Sequence, residues 1–95
     1  RQLLTKTILV TGAAGSIGSE LVHRLVEHHA GHIICLDIAE TPLYELQQSI
    51  LRSKSNRSIS YVLADVRNER SLEEVFEKYQ PHFVFHAAAY KHVPL

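Results

Sequence analysis

Apolar residues along this chain occur either in short unbroken runs or in longer stretches where they recur every three or four positions. Thr7–Thr11 is a β-branched apolar run that ends at a glycine, which predicts a strand. From about Ser16 to His29, Ile17, Leu21, Val22, Leu25 and Val26 recur at helical spacing, while Glu20, Arg24 and Glu27 fall mostly on the other side. Ala30-Gly31 is expected to end that helix. His32–Asp37 is a continuous apolar run with an acid at its carboxyl end, the pattern of a parallel strand covered on both faces. Thr41 as N-cap and Pro42 at the first helical position open a second helix, whose face is marked by Leu43, Leu46 and Ile50 and which runs to about Arg52. The polar segment 53–58 reads as a surface loop, and Ser60–Ala64 as a third strand leading to Asp65. Asn68 as cap, with Leu72, Val75, Phe76 and Tyr79 at i, i+3, i+4 and i+7, predicts a third helix that ends before Pro81. His82–His86 is a fourth strand and runs into Ala87-Ala88-Ala89.

Strand and helix therefore alternate three times before the last strand, without internal repeats. Right-handed crossovers place the strands in the order 3-2-1-4. The expected fold class is α/β, the N-terminal part of a Rossmann-like, doubly wound parallel sheet. The chain stops directly after the fourth strand, so residues 1–95 are expected to be a partial Rossmann domain, a fragment of a longer protein.

Composition narrows the function classes. With 45% hydrophobic and 21% charged residues, the chain has the balance of an ordinary globular domain. Ten Lys plus Arg offset ten Asp plus Glu, so there is no basic excess to neutralise a nucleic-acid backbone, and no nucleic-acid partner is expected. The single cysteine, Cys35, sits inside an apolar run as a small hydrophobe, which excludes a disulfide framework and suits a reducing, cytoplasmic compartment. No apolar stretch approaches the ~20 residues that cross a bilayer, so no membrane contact is expected from these residues. Seven histidines invite a metal reading, but His28, His29 and His32 straddle a helix end without cysteine or carboxylate at ligand spacing, and no metal is expected. His86, inside an apolar strand, is expected to be a hydrogen-bonded core histidine.

The chemistry lies in the turns that follow the strands. Thr11-Gly12-Ala13-Ala14-Gly15-Ser16-Ile17-Gly18 joins the first strand to the first helix. A side chain at Gly12, Gly15 or Gly18 would obstruct either the approach of a dinucleotide pyrophosphate or helix–strand packing. Free N–H groups at the helix start and the positive end of its dipole would face the phosphates, with the Ser16 hydroxyl as a further donor. Ala14, Gly15, Ser16, Ile17 and Gly18, with Gly12, are thus candidate pyrophosphate contacts. Asp37, nineteen residues beyond Gly18, is placed to accept hydrogen bonds from the adenosine ribose with Ile38 beside it; it favours NAD over NADP, because a 2′-phosphate would meet a carboxylate with no arginine closely following. Asp65 and Val66 are candidates for adenine, in competition with a turn-forming role for Asp65. Ala87, Ala88 and Ala89 are small enough to let backbone pass near the nicotinamide-side ribose and phosphates. Lys91 and His92 lie at the edge of the same crevice, and Lys91 is the better candidate for its inner end.

The string from Ile8 to Leu21, followed by Leu36-Asp37-Ile38-Ala39-Glu40, resembles the extended short-chain dehydrogenases that modify nucleotide sugars. His86-Ala87-Ala88-Ala89-Tyr90-Lys91-His92-Val93-Pro94-Leu95 resembles the more specific signature of their polysaccharide-biosynthesis branch, typified by UDP-N-acetylglucosamine 4,6-dehydratases, and Asp65-Val66-Arg67 is similar too. The resemblance implies a redox-neutral lyase reaction on a UDP-sugar: NAD(P)+ removes hydride from the sugar C4, water leaves from C6, and the retained cofactor returns the hydride to C6. It further implies a homo-oligomer on the cytoplasmic side, in some members behind an N-terminal membrane region, with catalytic residues beyond Leu95, so that residues 1–95 alone would be inactive. Two alternatives stay open at this point: an NDP-sugar 4-epimerase on the same scaffold and a non-catalytic dinucleotide sensor.

Overall fold

The computed structural model describes residues 5–53 and 58–90. Its elements are β1 (Thr7–Thr11), α1 (Ser16–Glu27), β2 (His32–Asp37), α2 (Glu40–Arg52), β3 (Ser58–Leu63), α3 (Glu69–Tyr79) and β4 (Phe83–His86), followed by a 3₁₀ turn over Ala87–Tyr90. All pairings are parallel and the strand order is β3-β2-β1-β4, as the alternation of elements predicts. Thr11 is registered with Leu36 on one side and His86 on the other, so the carboxyl ends of the central strands lie level.

The unbroken apolar runs of β1 and β2 follow from burial on both faces, because successive side chains point to opposite sides of the sheet. Ile8, Val10, Ile33 and Cys35 pack with Val22 and Leu25 of α1 and with Leu43, Leu46 and Ile50 of α2. Leu9, Ile34 and Leu36 pack on the opposite face with Val75 of α3, flanked by Leu72 and Tyr79. Two helices therefore cover one face and one covers the other. At the sheet edge β4 is exposed along its length, including Phe83, Val84 and Phe85.

Several boundaries differ from the pattern-based reading. Helix α1 ends at Glu27 rather than near His29, and its left-handed residue is His29 (φ 61°), not Gly31. The Ala30 N–H donates to the Leu25 carbonyl and the His29 N–H to that of Val26, which is a Schellman closure with buried Ala30 as its apolar partner. Helix α2 starts at Glu40 with Ala39 as N-cap, so Thr41 is not the cap and Pro42 is the third helical residue, still within the first turn, where its missing N–H would have had no intrahelical acceptor. Strand β3 begins at Ser58, registered with His32, two residues ahead of the expected start. The Asn68 cap is as predicted, its side chain accepting from the Ser71 N–H at 3.0 Å.

Candidate functional site

At the carboxyl edge of the sheet, segments following all four strands enclose a cavity of about 750 Å³. It lies where the chain, having run outward from β1 through β2 to β3, crosses back to β4; such a switch point leaves a crevice between the flanking turns. Gly12, Ala14, Gly15, Ser16, Ile17 and Gly18 line it from the first turn. Asp37, Ile38, Asp65 and Val66 line it from the ends of β2 and β3, and Ala87 and Ala88 from the end of β4. Ala89 continues the 3₁₀ turn, whereas Lys91 and His92 lie outside the described residues. Ile17, although at helical spacing with the core residues of α1, is 49% exposed toward the cavity rather than packed inside.

The three glycines of the turn differ in what surrounds them. Gly12 takes φ +66°, and a Cβ there would sit 2.6 Å from the Ala88 backbone nitrogen, so the fold itself excludes a side chain. At Gly18 a Cβ would collide with the Gly12 carbonyl, which lets α1 start flush against the turn. At Gly15 a Cβ would meet only the Gly12 oxygen at 3.4 Å, and this position opens to the cavity. Gly15 is also the N-cap of α1 and contributes no capping side chain, so the first N–H groups of the helix are without an intrahelical acceptor.

Asp37 fastens two sides of the cleft together. Its Oδ2 accepts from the Ala14 N–H at 2.8 Å and its Oδ1 from the Ala39 N–H at 2.9 Å. Each oxygen retains acceptor capacity, since a carboxylate offers about four lone-pair sites. At the end of β3, Asp65 does form a turn: its carbonyl accepts from the Asn68 N–H and its Oδ1 from the Arg67 N–H. The Arg67 guanidinium holds both carboxylate oxygens, with Nη2 at 2.8 Å from Oδ2 and Nε at 3.1 Å from Oδ1. These hydrogen bonds hold the Asp65 carboxyl below the usual carboxylate range.

Two lining residues depart from the sequence reading. Arg67 was not singled out as a site residue, and no spacing rule points to it; only the geometry of the turn after β3 brings it to the cavity. His86 is hydrogen-bonded as expected, its Nδ1 lying 2.7 Å from the Thr11 Oγ1, but it is exposed on an edge strand instead of buried in the core. Its bond ties the ends of β1 and β4 beneath the contact between Gly12 and Ala88. Among the described residues there is no group of three or more His, Cys, Asp or Glu that could hold a metal ion, and no helix is long and apolar enough to cross a membrane.

Comparison with known proteins places this geometry in a family. The chain is 44% identical over its whole length to the capsular polysaccharide biosynthesis protein CapD of Staphylococcus aureus, covering 16% of that protein. It is 38% identical over 87 residues to a dTDP-glucose 4,6-dehydratase of Haemophilus influenzae, covering 90% of this chain and 25% of that enzyme. Among solved structures, NAD+-bound xylitol dehydrogenase superposes with a TM-score of 0.71 at 25% identity, over 88% of this chain and 33% of that one. The chain thus spans a quarter or less of the two curated relatives. Residues 8–95 match the family model described as polysaccharide biosynthesis protein, and the chain belongs to that family, within the extended short-chain dehydrogenases.

Proposed function

We propose that this chain is the NAD(P)-binding portion of a nucleotide-sugar 4,6-dehydratase acting in polysaccharide biosynthesis. The observation that carries the reading is the open face of the glycine turn: Gly15 leaves room above the start of α1, where unbonded N–H groups and the helix dipole favour a pyrophosphate. Gly12, Ala14, Ser16, Ile17 and Gly18 complete that cradle. The remaining acceptor capacity of Asp37, beside Ile38, receives ribose hydroxyls and favours NAD. Asp65 and Val66 face adenine, the small residues Ala87 to Ala89 leave room for the nicotinamide-side ribose and phosphates, and Lys91 is assigned to the inner end of the site. The bound dinucleotide would supply hydride removal and return within a single turnover. The UDP-sugar and the acid–base side chains belong to the part of the protein after Leu95, in a cytoplasmic homo-oligomer, and residues 1–95 alone do not turn over.

Product analysis of the intact protein with UDP-N-acetylglucosamine tests the reading. A 4-keto-6-deoxy sugar is the expected product. A C4 epimer alone would replace the dehydratase by a 4-epimerase, and dinucleotide binding without either product across UDP-sugars would leave a non-catalytic sensor.

A further inference from the structure

Arg67 carries the one permanent positive charge among the described residues that line the cavity, whose lining also holds two carboxylates, Asp37 and Asp65. Its side chain is 82% exposed and spends its guanidinium on Asp65 two residues away, with Asp65 at 32%. An exposed pair of this kind gains little from its attraction, so exchanging one anion for another costs little. The position is apt for such an exchange. Asp37 is registered with Leu63 on the neighbouring strand, and the Ala64 N–H donates to the Asp37 carbonyl at 3.0 Å, so the turn bearing Arg67 starts directly beside the residue assigned to the ribose. The Asp37 carboxylate also has two backbone N–H donors of its own, which offset part of the repulsion it would exert on a nearby anion.

Resting on the dinucleotide reading above, we propose that Arg67 determines cofactor tolerance: it leaves Asp65 to receive the adenosine 2′-phosphate, so that the cleft takes NADP as well as NAD. The exchange leaves no group without a partner. The adenine amino group replaces the guanidinium on Asp65, the Arg67 backbone N–H stays on Oδ1, and the planar guanidinium passes from a carboxylate to a phosphate, both of which it can grip through two parallel hydrogen bonds. With NAD there is no 2′-phosphate, and Arg67 has no role in affinity beyond its turn.

Titration calorimetry of the intact protein with NAD and with NADP, on wild type, Arg67→Ala and Arg67→Lys, tests this. In the wild type the two dissociation constants should lie within about tenfold of each other. Arg67→Ala should weaken NADP by roughly ten- to hundredfold, the scale of charge-assisted hydrogen bonds, and move NAD less than about threefold; Arg67→Lys should fall between. Equal losses for both dinucleotides, or no change for either, would overturn the proposal while leaving the dinucleotide reading standing. So would a wild type that binds NAD but rejects NADP. A wild type that binds neither would overturn both.

Discussion

An added methyl group at Gly15 would meet little, whereas at Gly18 it would fall on the Gly12 carbonyl and at Gly12 on the Ala88 backbone. Identical letters thus carry different physical demands, and substitution should separate them. Gly15→Ala should fold with a loss of no more than about 1 kcal/mol, that of an alanine N-cap, and yet bind dinucleotide much more weakly. Gly18→Ala should lower stability by about 1–3 kcal/mol or more, because the obstacle is backbone that cannot step aside. Urea denaturation beside calorimetry on the intact protein distinguishes the two; equal stability losses would contradict the assignment. The spacing of three glycines was readable in the chain, but which of them faces a ligand was not. At Gly12 the obstacle is the Ala88 backbone, brought there by the pairing of Thr11 with His86, 75 residues apart, and at Gly18 it is the Gly12 carbonyl, placed only by the conformation of the turn. Arg67 was unreadable for a related reason: its significance comes from a turn on the neighbouring strand, not from a motif of its own.

At the scale of the element, periodicity located every helix and strand, because apolar spacing records which face is covered. The ends were less legible. Helix α1 closes on His29 in the left-handed region although Gly31 stands two residues later. The reason is packing: the closure places Ala30, fully buried, against the end of the helix, and a later stop would push it out of the core. The cost falls on the His29 backbone, since a Cβ is disfavoured at φ 61°. His29→Gly should therefore raise stability by up to about 1 kcal/mol, less the extra freedom it gives the unfolded chain. A denaturation midpoint unchanged or lowered in that variant would argue that the imidazole does more than occupy the site. Helix α2 shows the complementary case, in which the Asp37 side chain fastens the Ala39 N–H and so starts the helix two residues before the Thr41-Pro42 signal.

For the molecule as a whole, the sheet order was legible because right-handed crossovers leave few arrangements, and the core because both faces of β1 and β2 had to be covered. The same dense core sets a limit at alkaline pH. Burial pushes the Cys35 thiol from 9.0 up to about 12, and Tyr61, its registered neighbour on β3, from 10.0 to about 12, by burial first and by the Cys35 charge second. Both groups stay protonated in the folded protein at pH values where they ionise in the unfolded chain. Stability is thus fully present below pH 9 and lost as pH rises toward 12, with the thiol alone responsible at first. Between pH 9 and 10 the thiol approaches a slope of about 1.4 kcal/mol per pH unit, and Cys35→Ala should flatten the loss there despite its lower starting stability. Urea midpoints across that range check it; parallel curves for the two proteins would rule out the thiol.

Because one carboxylate at Asp37 is bonded both to the glycine turn and to the start of α2, exchanging that residue is never a change of cofactor preference alone. A substitution there made to admit a different nucleotide would at the same time unfasten Ala14 from Ala39, and so loosen the turn that the proposed function assigns to the pyrophosphate. If Arg67 takes the 2′-phosphate as proposed, drift in preference is easier through Arg67, whose guanidinium is exposed and bonded only to Asp65. On the proposed reading, Asp37 is the position at which cofactor choice and architecture cannot be altered independently.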